Sequence, residues 1–378
     1  MLRSSVQGLR GWPGKMTGMQ APLGPVQRAR LEAQLLSGPH ATSVTDVVER
    51  LLAVQAQDAR AARLAIRVRS AGVSAADVDA ALDRRELVVT WVNRGTLHLI
   101  RAQDYPWLHA LTTPQLATGN ARRLAQEGVS PEQAELGADV VERELSDGLR
   151  TRAQLQVALG EAGVPTAGQA LVHVLLKATL KGTCVRGPVV GKEQVFVLVR
   201  DWLPAAGPVD RDQALGELAR RYLVGHGPST ERDLVRWAGI TLGDARRGLR
   251  RAGAEGDELL DLPGRDSQEP APLPPPRLLG GFDELLMGWV DREPVLGDHR
   301  SVITKNGIFH PIALAAGRAV GTWRFPGGGV RLEPFGPLDP GVTEALEQDA
   351  EDVHRFLEPG PPGPRPALRP LSPRPGAA

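Results

Sequence analysis

Lysine is nearly absent from this chain. Among 45 basic residues only Lys15, Lys177, Lys181, Lys192 and Lys305 are lysines, and all the others are arginines. A GC-rich coding source produces that bias, although arginine's planar fork also suits phosphate and base contacts. Cysteine is scarcer still. With Cys184 alone, an intrachain disulfide and a cysteine-built zinc site are excluded, and the chain fits a reducing cytoplasm. No apolar run reaches the ~18 residues of a membrane span. No apolar core follows the basic N-terminus, so it is not a secretory signal. Net charge is also missing: 45 Lys+Arg against 44 Asp+Glu leave +1, which does not announce a nucleic-acid partner. A Gly-rich phosphate loop with its lysine, a His-Glu-x-x-His pair and a nucleophile elbow are all absent, which removes the common NTPase and hydrolase readings. His226 and His310 have no partners at metal-ligand spacing, so neither a metal nor a cofactor is expected.

What is present is helix and hairpin, repeated. At 378 residues the chain is long enough for two or more units, since single cores stop growing near ~250 residues. Residues 1–25 read as a disordered basic N-terminus, with Met16 and Met19 as alternative starts. A short helix over 26–36 is stopped by Gly38-Pro39. Helices are predicted at 44–54, about 61–70, and from a capping-box-like Ser74-x-x-Asp77 to Asp83. Two strands, 87–92 and 96–100, flank the turn signal Asn93-Arg94-Gly95. Three helices and a hairpin describe a winged helix, here over 26–115.

The pattern recurs over 131–200, with helices at about 132–146, from Thr151, and at 170–181. Strands at 183–185 and 194–198 are joined across Gly187 to Gly191. It recurs again over 208–263, with helices at 211–225, from Thr230, and at 242–251, then a short strand at 257–262. Thr230-Glu231-Arg232-Asp233-Leu234 mirrors Thr151-Arg152-Ala153-Gln154-Leu155, which makes tandem repeats the economical account. A Pro-rich linker (264–277) leads to a small antiparallel β unit and an acidic final helix (278–357), then a disordered tail (358–378). The expected fold class is therefore α+β: tandem winged-helix repeats followed by an antiparallel β unit and a C-terminal helix.

One stretch organises the chain chemically. Gln55-Ala56-Gln57-Asp58 follows an amphipathic helix whose apolar face is Val44, Val47, Val48, Leu51 and Leu52. Residues two apart share a side only in extended chain. For the two amides to act on one small molecule, the helix must end near Val54. Each amide offers an acceptor and two donors, so a pair can aim a water but cannot remove its proton. The alternative is that both amides merely cap a helix end or bond a loop. Asp58 is the nearest carboxylate, available as base or electrostatic partner.

Winged helices favour nucleic acid because helix and wing fit grooves and phosphates, though they also serve as protein–protein modules. Arg94, Thr96 and His98 alternate on the first wing, where one of them could reach a phosphate or a bound water. Arg60 follows the Gln motif. Residues 211–251 carry more arginines, Arg232, Arg236, Arg246 and Arg247 among them, than acids, as a basic groove requires. A solvated helix face would show the same run.

Val54 to Asp58, Asn93 to His98, Gly227-Pro228-Ser229-Thr230 through Leu234 with Trp237 and Gly239, Phe282-Asp283, Asp291-Arg292 and Gly321-Thr322-Trp323-Arg324 together resemble the bacterial winged-helix DNA glycosylases of the AlkZ and YcaQ type, across about residues 25–357. In that family a Gln-x-Gln or Gln-x-Asp motif marks the catalytic site. The resemblance implies Gln55 and Gln57 as catalytic residues, and Asp58 joins them as a candidate only because it is the nearest carboxylate. It implies a monofunctional glycosylase that excises N7-alkylated purines and, in one branch, unhooks interstrand crosslinks, with double-stranded DNA as partner. No lysine lies near the motif, which argues against a Schiff-base lyase step. A monomer in the cytoplasm, associated with the nucleoid, is expected. The rival expectations are a non-enzymatic winged-helix DNA-binding regulator and a protein-interaction scaffold.

Overall fold

The computed structural model describes residues 23–191, 193–265 and 271–358. The expected disordered N-terminus up to residue 22, residues 266–270 of the linker and the tail beyond residue 358 lie outside the described residues.

Helix α1 (Pro25–Ala33) is followed by α2 (Val44–Leu51), whose N-cap Ser43 accepts the Asp46 N–H. Its apolar face is that read from the sequence, and Val44, Val47, Val48 and Leu51 are all buried. Leu52 then adopts a φ of 66°, which ends the helix. The chain opens into strand β1 (Val54–Gln55), so the helix expected over 44–54 stops three residues early. Next come α3 (Ala59–Arg67) and α4 (Ala75–Asp83), the latter opened by a complete Ser74–Asp77 capping box. Strands β2 (Leu87–Val92) and β3 (Thr96–Arg101) form a hairpin whose turn holds Asn93 and Gly95 at positive φ.

Helices α5 (Tyr105–Thr112) and α6 (Leu116–Gln126) carry the chain to α7 (Pro131–Ser146), α8 (Arg152–Glu161) and α9 (Ala170–Leu180). Ser130 and Thr151 cap α7 and α8 with full capping boxes. Strands β4 (Cys184–Val190) and β5 (Glu193–Leu198) follow. Gly187, expected in the connection, lies inside β4, and a bulge between Arg186 and Val189 lets the strand run on to the turn at Gly191. The two hairpins are not separate wings. β2 pairs with β4, giving one five-stranded sheet in the order β1-β3-β2-β4-β5.

After the short α10 (Val199–Trp202), a third helical set packs on this sheet: α11 (Arg211–His226), α12 (Glu231–Ala238) and α13 (Leu242–Arg251). The strand expected over 257–262 is reduced to isolated bridges, Ser229 to Leu260 and Glu255 to Asp261. Val88, Val92 and Ile100 on one face of the sheet share a core with Leu218, Tyr222, Leu234 and Trp237. The opposite face, with Val89, Trp91, Leu97 and Leu99, buries against α7, α8 and α9. α11 crosses α2 so closely that a Cβ on Gly225 would lie 2.3 Å from the Arg50 carbonyl, which only glycine avoids.

The C-terminal unit is a second sheet, β6 (Arg277–Leu279), β7 (Ile312–Ala315), β8 (Arg318–Arg324) and β9 (Arg331–Pro334), in that order. Between β6 and β7 lie α14 (Glu284–Met287) and α15 (Glu293–Leu296). The last helix, α16 (Pro340–Leu357), packs on β6. Its acidity is partly internal. Asp349 and Asp352 both take the buried Arg67 guanidinium, and Asp349 also accepts the Leu278 N–H. Among the described residues no helix is long and apolar enough to cross a membrane, and no group of three metal-ligating side chains occurs.

Candidate active site

Gln55 sits where three strands and a distant helix meet. In register it lies opposite His98, which lies opposite Thr90, so Gln55, His98 and Thr90 form a polar row on β1, β3 and β2. All three are buried. Period two brings Thr96 to the same face as His98, and its hydroxyl donates to the Gln55 side-chain oxygen at 3.0 Å. Because Leu52 terminates α2, residues 54–56 are extended and Gln57 is carried to the surface two positions on. The opening of the chain that two cooperating amides require is therefore present.

Asp58 has another task. Its Oδ1 accepts the Arg60 N–H at 2.8 Å and the Ala61 N–H at 3.0 Å, which makes it the N-cap of α3. The carboxylate expected as base or electrostatic partner is thus exposed and occupied with a helix end.

The residues expected on the first wing divide. Arg94 belongs to the turn, not the strand. Its guanidinium donates to the Arg236 and Trp237 carbonyls at 2.8 and 3.0 Å, a cation closing the C-terminus of α12. Gly239, at a φ of 71°, ends that helix against the same turn, and a Cβ there would come within 2.8 Å of the Asn93 carbonyl. His98 is 3% exposed, so it faces the interior beside Gln55 and not a phosphate. Its Nδ1 lies 2.9 Å from the Thr96 carbonyl, which can only accept, so the proton is on Nδ1 and Nε2 is a bare acceptor. Burial, then the Arg94 charge, push its pKa down to about 3, leaving the ring neutral.

Sequence reasoning misses one residue of the site. Glu284, 1% exposed, accepts the Gln55 backbone N–H on Oε1 at 2.7 Å. Burial is the main reason its pKa rises to about 7. Asp283 beside it forms a bidentate pair with Arg69, at 2.7 and 2.9 Å, with neither side chain exposed. Gln34 accepts from the same guanidinium and donates to the Gly225 carbonyl, so α1, α3, α11 and α14 are tied at one point. The signal in the sequence is two carboxylates, Asp283-Glu284, set between Leu278-Leu279 and Leu285-Leu286-Met287.

The arginines expected to meet DNA are exposed, but several already have acidic partners. Arg246 pairs with Glu231 and Arg247 with Asp212. Arg221 is buried against Asp104. Arg232 and Arg236 make no ion pair among the described residues, and Arg236 lies within electrostatic reach of Arg94 and Arg292. Arg60 is exposed with its guanidinium 5.4 Å from the Phe325 ring centroid.

Comparison with known proteins gives a single answer. The family model for DNA glycosylase AlkZ-like proteins matches residues 48–356. An interstrand DNA cross-link repair glycosylase of Streptomyces sahachiroi is 29% identical over 354 residues, covering 86% of this chain and 94% of the relative. The solved structure of the Streptomyces sahachiroi DNA glycosylase AlkZ superposes with a TM-score of 0.74 at 27% identity, over 89% of this chain and 97% of that one.

Proposed function

Since the chain belongs to the AlkZ-like DNA glycosylase family, we propose that it is a monofunctional glycosylase of N7-alkylated purines in duplex DNA, working with a water held by Gln55 and Gln57. Alkylation at N7 makes the purine cationic, so the glycosidic bond is already weak and the base leaves neutral. What remains for the protein is to place a water and to tolerate an oxocarbenium-like sugar, which is largely positioning. The observation that supports this is the state of Gln55. Its backbone N–H donates to Glu284 and its side-chain oxygen accepts the Thr96 hydroxyl, so the backbone is held and the side-chain N–H donors have a fixed direction. Gln57, exposed two residues on, completes a pair that can hold a water from two sides.

Fold and partner follow from the same reading. The three helical sets, two of them with hairpins, are tandem winged helices that cradle the duplex. Arg232 and Arg236 carry the phosphate contacts. The named activity of the Streptomyces sahachiroi relative, interstrand DNA cross-link repair, extends the proposed substrates to interstrand crosslinks. The protein acts as a monomer, in the cytoplasm at the nucleoid.

The test is incubation with two duplexes, one carrying N7-methylguanine and one crosslinked through N7 positions. The reading predicts release of free base, unhooking of the crosslink, and no borohydride-trapped protein–DNA adduct. Salt-dependent binding without release from either duplex would instead support the non-enzymatic regulator.

A further inference from the structure

The site as described contains neutral amides and one exposed, occupied carboxylate, yet a buried carboxylate touches its centre. Glu284 comes from the C-terminal unit, 229 positions along the chain from Gln55, and reaches into the sheet to accept a backbone N–H. A glutamine of the same length would present an acceptor oxygen to the same N–H. It would do so without the penalty of burying a charge. Burial outweighs what the charge gains from the Gln55 N–H, Arg69 and Arg94, so the charge is a net cost to the fold, and groups whose burial is costly concentrate at functional sites. The reaction supplies a use. As the glycosidic bond breaks, positive charge builds on the sugar, and Gln55 and Gln57 carry none to answer it.

We propose that Glu284 is the electrostatic positioning residue of the glycosylase site, its carboxylate fixing the Gln55 backbone and presenting negative charge behind the amide that holds the water. This rests on the glycosylase reading above. Glu284 acts through Gln55 and across a short distance in a water-poor interior, where a charge is felt far more than in solvent. The groups facing it are Asp283 at the N-cap of its own helix, Arg69 in the turn just after α3 and Arg94 on the β2–β3 turn. His98, the titratable neighbour of Gln55, stays neutral down to about 3. Glu284 itself, raised to about 7 by burial, loses its charge on the acid side of neutrality.

Glu284→Gln and Glu284→Asp proteins separate charge from shape. Single-turnover release of N7-methylguanine would be measured from pH 5.5 to 8.5, with duplex affinity and Tm alongside. The proposal expects Glu284→Gln to fold with an unchanged or higher Tm and to bind duplex as the wild type does. Its release rate should fall tenfold or more. The wild-type rate should decline below about pH 7, and that limb should be missing in Glu284→Gln and kept in Glu284→Asp. A Glu284→Gln protein with wild-type rate and pH profile would overturn the proposal. So would one that fails to fold, because the charge would then be a need of the fold. If the wild-type protein itself releases no base, the glycosylase reading has failed and this inference falls with it.

Discussion

The Thr96 hydroxyl donates to the side-chain oxygen of Gln55 across 3.0 Å, joining β3 to β1 on the buried face of the sheet. That bond sets which way the Gln55 amide points: with its oxygen turned to Thr96, its N–H donors are turned the other way. Thr96→Val keeps the branched shape and removes the donor. A net hydrogen bond of this kind contributes about 1 kcal/mol. The expected result is a release rate lowered roughly five- to tenfold, about 1 kcal/mol in the barrier, with Tm changed little. Single-turnover kinetics beside a thermal melt checks it.

Arg69 and Asp283 predict a larger effect on the fold. Both side chains are fully buried and bidentately bonded. Removing one partner strands the other as an unpaired buried charge, at a cost of about 3–5 kcal/mol. Asp283→Ala should therefore unfold in urea at a clearly lower midpoint. It should also lose activity, because Glu284 is the next residue and is held by the same turn.

Acid should destabilise the protein in a calculable way. Burial is the first cause that depresses His98 and His226 to about 3. Both stay neutral in the fold while the unfolded chain takes up protons below about pH 6.5. Their contribution is complete above that pH and is lost as pH falls, by about 1.4 kcal/mol per unit for each histidine. Glu284 works in the opposite sense. Its raised pKa, about 7, means the fold holds a proton that the unfolded chain releases between roughly pH 4.5 and 7. Acidification in that window recovers about 1.4 kcal/mol per unit. These three groups together give a loss of about 1.4 kcal/mol per unit from pH 6.5 to 5, and the lowered pKa values of His40, His109 and His173 act in the same direction. Urea melts across that range measure it, and His226→Phe should flatten the slope.

DNA binding should follow the unpaired arginines more than the paired ones. Removing one arginine–phosphate interaction lowers the log–log salt slope by about 0.9. Arg232→Gln and Arg236→Gln should each do so with Tm unchanged. Arg246→Gln and Arg247→Gln should have smaller effects, as both already face carboxylates at 2.8 and 3.0 Å. A fluorescence titration from about 50 to 300 mM salt, the range over which phosphate binding weakens steeply, discriminates the two sets.

Local signals in the sequence are legible, and long-range ones are not. The caps Ser74, Thr151 and Thr230 open helices where their spacing places them, because a capping box is complete within four residues. The amphipathic face of α2 and the β2–β3 turn are equally local. Joining the two hairpins into one sheet through β2 and β4 depends on a pairing of Val89 with Arg186, which no local pattern encodes. Asp58 stands next to Gln57 in sequence, yet backbone geometry commits it to the start of α3. Glu284 lies far away in sequence, yet folding sets it on the Gln55 amide. Arg94 shares the strand-like spacing of Thr96 and His98, but the tight turn swings it onto α12.

The water that Gln55 and Gln57 are proposed to hold is what replaces the departing base. The most direct test of that role is single-turnover release of N7-methylguanine by a Gln55→Ala/Gln57→Ala protein, set against wild type at equal duplex occupancy. The double variant should fold and bind duplex, and its release should fall by at least a hundredfold, toward the spontaneous rate. Release at close to the wild-type rate from a folded, DNA-bound double variant would contradict that role.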